Sequence, residues 1–174
     1  MITGTVTSIF GDDINTDDII PASYLQQSTD RRFFKDYAFE KYDPAFRQRC
    51  QQAEANIIVA GANFGCGSSR EQAVYAIKEN RVVCVIARSY PDIFYRNALN
   101  NGLVLITLPD TSSFRLGDEL AIDLDAGTVE NRSQGTRFTF AMPPEERETF
   151  KQGGMIGRVR AHLEEILAAR QARR

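Results

Sequence analysis

The sequence predicts an α/β fold in which a layer of parallel strands and helices is followed by an antiparallel β segment. Three continuous apolar runs, Ile57 to Ala60, Val82 to Ala87 and Leu103 to Thr107, have the length and unbroken character of strands buried on both faces. Stretches at helical spacing separate them, and strand, helix, strand, helix, strand in this order is the mark of an α/β layer. Beyond Leu120 the apolar period falls to two, as antiparallel strands require. With 174 residues and 43% hydrophobic content the chain can fill one core but not two, so residues 1–174 are expected as a single domain.

Taken in order, Ile2, Thr3, Thr5, Val6, Thr7 and Ile9 are β-formers that run into a loop at Gly11. Asp12, Asp13, Asn15, Thr16, Asp17 and Asp18 follow at once. They lack the alternating ligands, central Gly and terminal Glu of a calcium loop. The residues alone give a solvated turn in which Asn15 and Asp17 bond to nearby backbone, ended by Pro21. Phe34, Tyr37, Phe39, Tyr42 and Phe46 then alternate with charges, an aromatic density that belongs to a core or a subunit contact. Asp43 and Pro44 are expected to open a short helix reaching Cys50, as its cap and first residue.

The stretch Asn56 to Ile77 organises the rest. An apolar strand ends at Gly61, and Gly65 and Gly67 give the chain room to turn and to approach its neighbours closely. Ser68 and Ser69 stand where a helix start would take a capping hydroxyl, and Ala73, Val74, Ala76 and Ile77 then share one helical face. Such a junction gathers unpaired N–H groups and the positive end of a helix dipole, which suits a carboxylate or phosphate, with Arg70 beside it. The plainer alternative is that the serines only cap the helix while Arg70 pairs with a neighbouring carboxylate.

After the second apolar run, Ser89 is expected to cap a helix with Pro91 in its first turn and Asp92 completing a capping box. Ile93, Phe94, Ala98 and Leu99 would form its apolar face, and Asn101 and Gly102 would end it. Leu120, Ile122 and Leu124 alternate with polar residues, Asp125 to Gly127 turns, and Thr136 to Phe140 alternates again. Glu145 to Lys151 reads as a short helix stopped by Gly153 and Gly154. Ile156, Val159, Leu163 and Ile166 then mark an amphipathic terminal helix, with His162 on or near its polar side and a basic tail, Arg170 to Arg174, expected to fray.

Several function classes drop out. A net charge of −2 and a pI near 5.5 do not supply the basic stripe of a nucleic-acid surface. Cys50, Cys66 and Cys84 lack the paired spacing of a zinc site or a disulfide framework, and a reducing cytoplasm suits them. No apolar run approaches the roughly 20 residues of a membrane span, and Met1 to Phe10 has no leader pattern. A phosphate or nucleotide module would use Gly61 to Ser69 as its cradle, but neither the Gly-Lys-Ser/Thr ending nor Gly-x-Gly-x-x-Gly is present.

Three stretches together resemble one family. Residues 63–73, NFGCGSSREQA, 11–25, GDDINTDDIIPASYL, and 87–102, ARSYPDIFYRNALNNG, match in order the signatures of the aconitase-type swivel domain, which includes the small subunits of isopropylmalate isomerase and homoaconitase. The resemblance implies a swivelling β/β/α domain and a hydro-lyase that removes water from a 2-hydroxy diacid or triacid and adds it back on the adjacent carbon. It makes Ser68 the catalytic base. Ser69 and Arg70 would hold the substrate carboxylate, and Asn15, Thr16, Asp17, Gly65 and Gly67 would orient the loop. Tyr24 to Thr29 occupies the place of the family's specificity loop, so Gln26 and Gln27 would touch the variable part of the substrate.

Those two glutamines match neither the apolar loop that goes with isopropylmalate nor the Arg-containing loop that goes with homoaconitate, and Gln72 replaces the His of the isopropylmalate branch. Isopropylmalate, in leucine biosynthesis, is the expected substrate, with a homoaconitate-type or methylated malate as the alternative. No metal or cofactor is expected on this chain. A 4Fe-4S cluster would come with a large iron–sulfur subunit, and self-association is left open.

Overall fold

The computed structural model describes residues 1–171, which form one seven-stranded mixed sheet with helices packed on it. The strands are β1 (Ile2–Ile9), β2 (Asn56–Val59), β3 (Val82–Ala87), β4 (Val104–Thr107), β5 (Glu119–Asp123), β6 (Thr128–Asn131) and β7 (Thr136–Thr139). Their order across the sheet is β4-β3-β2-β1-β5-β6-β7. β1 to β4 pair in parallel, and β5 to β7 continue antiparallel from the other edge of β1. The first strand therefore sits at the centre and joins the two kinds of ladder.

The unbroken apolar runs arise because both faces of the parallel half are covered. Side chains alternate across a strand, so Ile58, Val85 and Leu105 point to one core with Phe34, Phe39, Phe46 and Phe64. Ile57, Val59, Cys84, Ile86, Val104 and Ile106 point to a second core shared with Leu120, Ile122 and Val129. The aromatics Phe34, Phe39 and Phe46 are core residues, whereas Tyr42 lies at the surface.

The helices are α1 (Thr16–Ile19), α2 (Phe46–Gln51), α3 (Glu71–Lys78), α4 (Asp92–Asn101), α5 (Pro144–Lys151) and α6 (Gly154–Gln171). Two 3-10 segments, Ala22–Tyr24 and Arg31–Tyr37, fill the long connection between α1 and α2. As expected, α3 buries Ala73, Val74, Ala76 and Ile77. Gly102 ends α4 in the left-handed conformation at φ 69°. There the chain crosses the start of α6 so closely that a Cβ on Gly154 would lie 2.4 Å from the Gly102 nitrogen.

Three expected caps are not made. Arg70 precedes α3 with no side-chain cap, so neither Ser68 nor Ser69 serves. Pro91 precedes α4, and the Ser89 hydroxyl instead accepts the Asn63 N–H at 2.8 Å. Asp43 pairs with Arg49, and α2 starts later than expected, at Phe46. In α4, Phe94 and Ala98 are buried but Ile93 is 53% exposed, so it does not belong to the apolar face. In α6 the expected apolar stripe exists but faces outward. Residues 172–174, the end of the tail expected to fray, lie outside the described residues. Among the described residues no helix is long and apolar enough to cross a membrane.

Candidate active site

β1, β2 and β3 are parallel, so the loops leaving their carboxyl ends meet at one edge of the sheet, where open α/β sheets place their ligands. The loop after β1 lies alongside the glycine loop after β2 and is joined to it rung by rung. The Ala62 N–H donates to Asp12 at 2.8 Å, and the Asn63 amide donates to Asp13 at 2.7 Å. The Gly65 N–H donates to the Ile14 carbonyl at 2.7 Å, and the Thr16 N–H donates to the Cys66 carbonyl at 2.7 Å. The Thr16 hydroxyl reaches the Ser68 carbonyl at 3.0 Å. At the end of the row, Arg70 grips the Asp17 carboxylate with Nη1 and Nη2 at 2.6 and 3.1 Å.

Each acidic residue of the segment thus has its own partner. Asp12 also receives Arg88, whose hydrogen bond holds the Asp12 carboxyl below its ordinary value. Asp18 and Asn15 form a reciprocal capping box on α1. The expected local bonding of Asn15 is present, and Asp17 adds to a local backbone bond at Ala22 the reach across to Arg70, whose hydrogen bond is the first cause of its lowered pKa. No group of three or more His, Cys, Asp or Glu that could hold a metal occurs among the described residues.

The glycine loop needs its glycines for close packing. Gly65 has φ 85°, and a Cβ there would lie 2.3 Å from the Phe94 ring. That contact sets the start of α4 directly against the loop. Ser68 and Ser69 emerge exposed at the mouth of a hollow of about 40 Å³. Ser68, Ser69, Arg70 and Asn97 give it a polar wall, and Ile93 and Phe94 an apolar one. Neither α3 nor α4 has a side-chain cap; in α3 the Ala73 N–H is taken by the Arg70 carbonyl, and the start of α4 reaches the hollow through Pro91, Ile93 and Phe94.

Arg70 is only 11% exposed in its side chain. Of its five N–H donors, two bind Asp17 and a second Nη1 hydrogen reaches the Ile20 carbonyl at 3.3 Å. The Nε edge, with the adjacent Nη2 hydrogen, is a second two-pronged surface of the kind that fits a carboxylate.

The sequence reading missed Asn97, whose amide lies 3.4 Å from the Ser69 hydroxyl, and Ile93. Both fall in the stretch 87–102 that carried the resemblance, but only the packing of α4 on Gly65 brings them to the serines. Gln26 and Gln27 are exposed in the turn after the first 3-10 segment and do not line the hollow. The Gln27 amide donates to the Ser23 carbonyl at 2.9 Å. Cys66 donates to the Asp13 carbonyl, and burial, reinforced by Asp13, pushes its thiol pKa up, which is opposite to an activated nucleophile.

A mixed sheet whose parallel half carries serines and an arginine at its carboxyl edge defines the class as α/β, and comparison makes it specific. Residues 2–111 match the aconitase C-terminal domain, and the chain belongs to that family. A 3-isopropylmalate dehydratase small subunit of Methanosarcina mazei is 44% identical over 148 residues, covering 84% of this chain and 90% of that one. The protein of the same name from Aliarcobacter butzleri is 40% identical over 167 residues, 95% and 98% of the two chains. The crystal structure of 3-isopropylmalate dehydratase (leuD) from Methanocaldococcus jannaschii superposes with a TM-score of 0.84 at 37% identity, covering 98% of each chain. The fold expected from the sequence, α/β with a mixed sheet, is the fold of that protein.

Proposed function

We propose that this chain, acting as one domain, is the small subunit of a two-subunit hydro-lyase. It would isomerise 3-isopropylmalate by removing water and adding it back, a step of leucine biosynthesis carried out in the cytoplasm. The observation that carries the reading is the exposed pair Ser68 and Ser69 beside the Asp17-held Arg70, in a chain aligned almost end to end with relatives of that name.

Ser68 is the base that takes the proton from the carbon next to a substrate carboxylate. A serine hydroxyl is far too weak a base at neutral pH unless its alkoxide is stabilised, and here the start of α4 and the Arg70 side chain line the same hollow. The open edge of Arg70 holds the carboxylate, and Ser69, steadied by Asn97, adds a hydroxyl contact. Asp17 fixes the guanidinium through two contacts and leaves the Nε edge for a ligand in this reading. Asn15, Thr16, Gly65 and Gly67 keep the loop in register with the segment after β1. Gln26 and Gln27 would face the variable substituent once the second wall of the site is in place.

A hollow of about 40 Å³ is far below the roughly 300 Å³ at which small-molecule pockets begin, so this chain supplies one wall. Departure of hydroxide calls for a Lewis acid, and an iron–sulfur cluster on a larger subunit supplies it in this reading. This chain's own thiols do not fit as ligands: Cys50 and Cys84 are buried in cores on opposite faces of the sheet, and Cys66 lies in the loop. The test is to combine the purified chain with the large subunit encoded in the same genome and offer 3-isopropylmalate, a homoaconitate-type acid and a methylated malate. Turnover fastest on 3-isopropylmalate is expected. Faster turnover of another acid, or turnover by the isolated chain, would overturn the reading.

A further inference from the structure

Met155, Ile156, Val159, Leu163 and Ile166 on α6 are 41%, 38%, 56%, 53% and 40% exposed. Together they leave an apolar stripe uncovered along one helix, and contiguous exposed apolar surface is often functional. Ile156, Val159, Leu163 and Ile166 follow one another at three, four and three residues, the spacing of a seam that packs against another helix. The start of α6 is fixed by the Gly102 and Gly154 crossing, and a shallow groove of about 360 Å³ runs between α6 and α4, lined by Met155, Ile156, Val159, Asn100 and Glu71.

We infer that this stripe is the docking surface for the larger subunit. The inference rests on the two-subunit reading above, and it says where the two chains meet. Continuity with the site supports that occupant. Ile93, Asn97 and Asn100 stand four and three residues apart on one face of α4. Ile93 and Asn97 line the hollow at Ser68, and Asn100 lines the α6 groove. Glu71, next to Arg70, lies in the same groove and accepts the Asn101 amide. A chain seated on α6 and α4 therefore extends directly over the serines and closes the hollow that this chain leaves open.

The test measures association by sedimentation, independently of substrate, using the full chain and the large subunit from the same genome. Leu163→Glu is compared with Leu116→Glu, a leucine 59% exposed in the loop before β5. Leu163→Glu is expected to weaken association at least tenfold with an unchanged circular dichroism spectrum, to need proportionally more large subunit for half-maximal activity, and to reach the wild-type turnover rate at saturation. Leu116→Glu should bind as the wild type does. Val159→Ser, a milder change on the same stripe, gives a smaller loss in the same direction if glutamate disturbs the helix. Unchanged binding by both stripe variants would overturn the inference and leave the functional reading intact. So would an isolated wild-type dimer that Leu163→Glu splits while binding to the large subunit is unaffected. Failure of the wild type to bind the large subunit at all would remove the functional reading and the inference with it.

Discussion

Replacing Asp17 by Asn asks whether Arg70 acts through its orientation. The change keeps shape and one acceptor oxygen but removes the charge that holds the end of the guanidinium through contacts of 2.6 and 3.1 Å. Asp17 is 58% exposed in its side chain, so solvent screens the pair and its contribution to folding is about 0.2–1 kcal/mol. For a chain of this size that lowers Tm by only about 0.4–4 °C. The effect on catalysis should be larger, because a misplacement of about 1 Å in a binding group can cost about 100-fold in rate. The Asp17 pKa is lowered on folding, so the pair is complete above the ordinary carboxylate value of 3.8 and is lost only as pH falls through the lower folded value. At neutral pH the whole difference between wild type and variant is therefore visible. Steady-state hydration of the unsaturated intermediate by the reconstituted enzyme, with thermal melts in parallel, gives both quantities. The variant is expected to turn over about 10- to 100-fold more slowly than wild type while melting at nearly the same temperature. A rate within twofold of wild type, or a rate lost only in step with stability, would refute the orienting role.

Other substitutions separate the remaining roles. Ser68→Ala should leave melting and association unchanged and lower turnover by several orders of magnitude; a loss within about tenfold, some 1.4 kcal/mol, would place the base elsewhere. Arg70→Lys should slow every substrate in a panel, because an ammonium cannot present two parallel N–H groups, while an apolar pair at Gln26 and Gln27 should shift preference among substrates by about 1–3 kcal/mol. Equal scaling by the glutamine changes together with reranking by Arg70→Lys would mean the roles are reversed. Burial raises the Cys50 pKa to about 11 and pushes Cys84 well upward, so alkylation of the native chain at pH 8 followed by mass spectrometry should label Cys66 first, with all three reacting after unfolding.

Much of the fold could be read from the residues because burial on both faces leaves a plain trace, as in Ile57 to Ala60 and Val82 to Ala87. The caps could not be read as well. Ser68, Ser89 and Asp43 all look like helix starts locally, yet Ser89 is claimed by Asn63 and Asp43 by Arg49, partners distant in sequence or outside the capping pattern. The same limit applies at the site. The strand, glycine loop and helix were legible, whereas the Asp17 to Arg70 grip and the arrival of Ile93 and Asn97 depend on how β1, β2 and β3 lie side by side. Spacing gave the stripe on α6, but not that it would face outward, since periodicity reports a face and not what covers it.

The rungs that tie the segment after β1 to the glycine loop connect residues 50 to 53 apart in the chain. None can form until the intervening chain has closed into a large loop and β1 lies parallel to β2, so each carries a loop-closure cost that a local contact does not. The site is therefore a product of tertiary pairing and of no single local element, and a partial opening that parts the two loops dismantles it while the strands of the sheet stay paired. A heat-stressed chain can then keep its sheet and still lack the Asp17 to Arg70 grip.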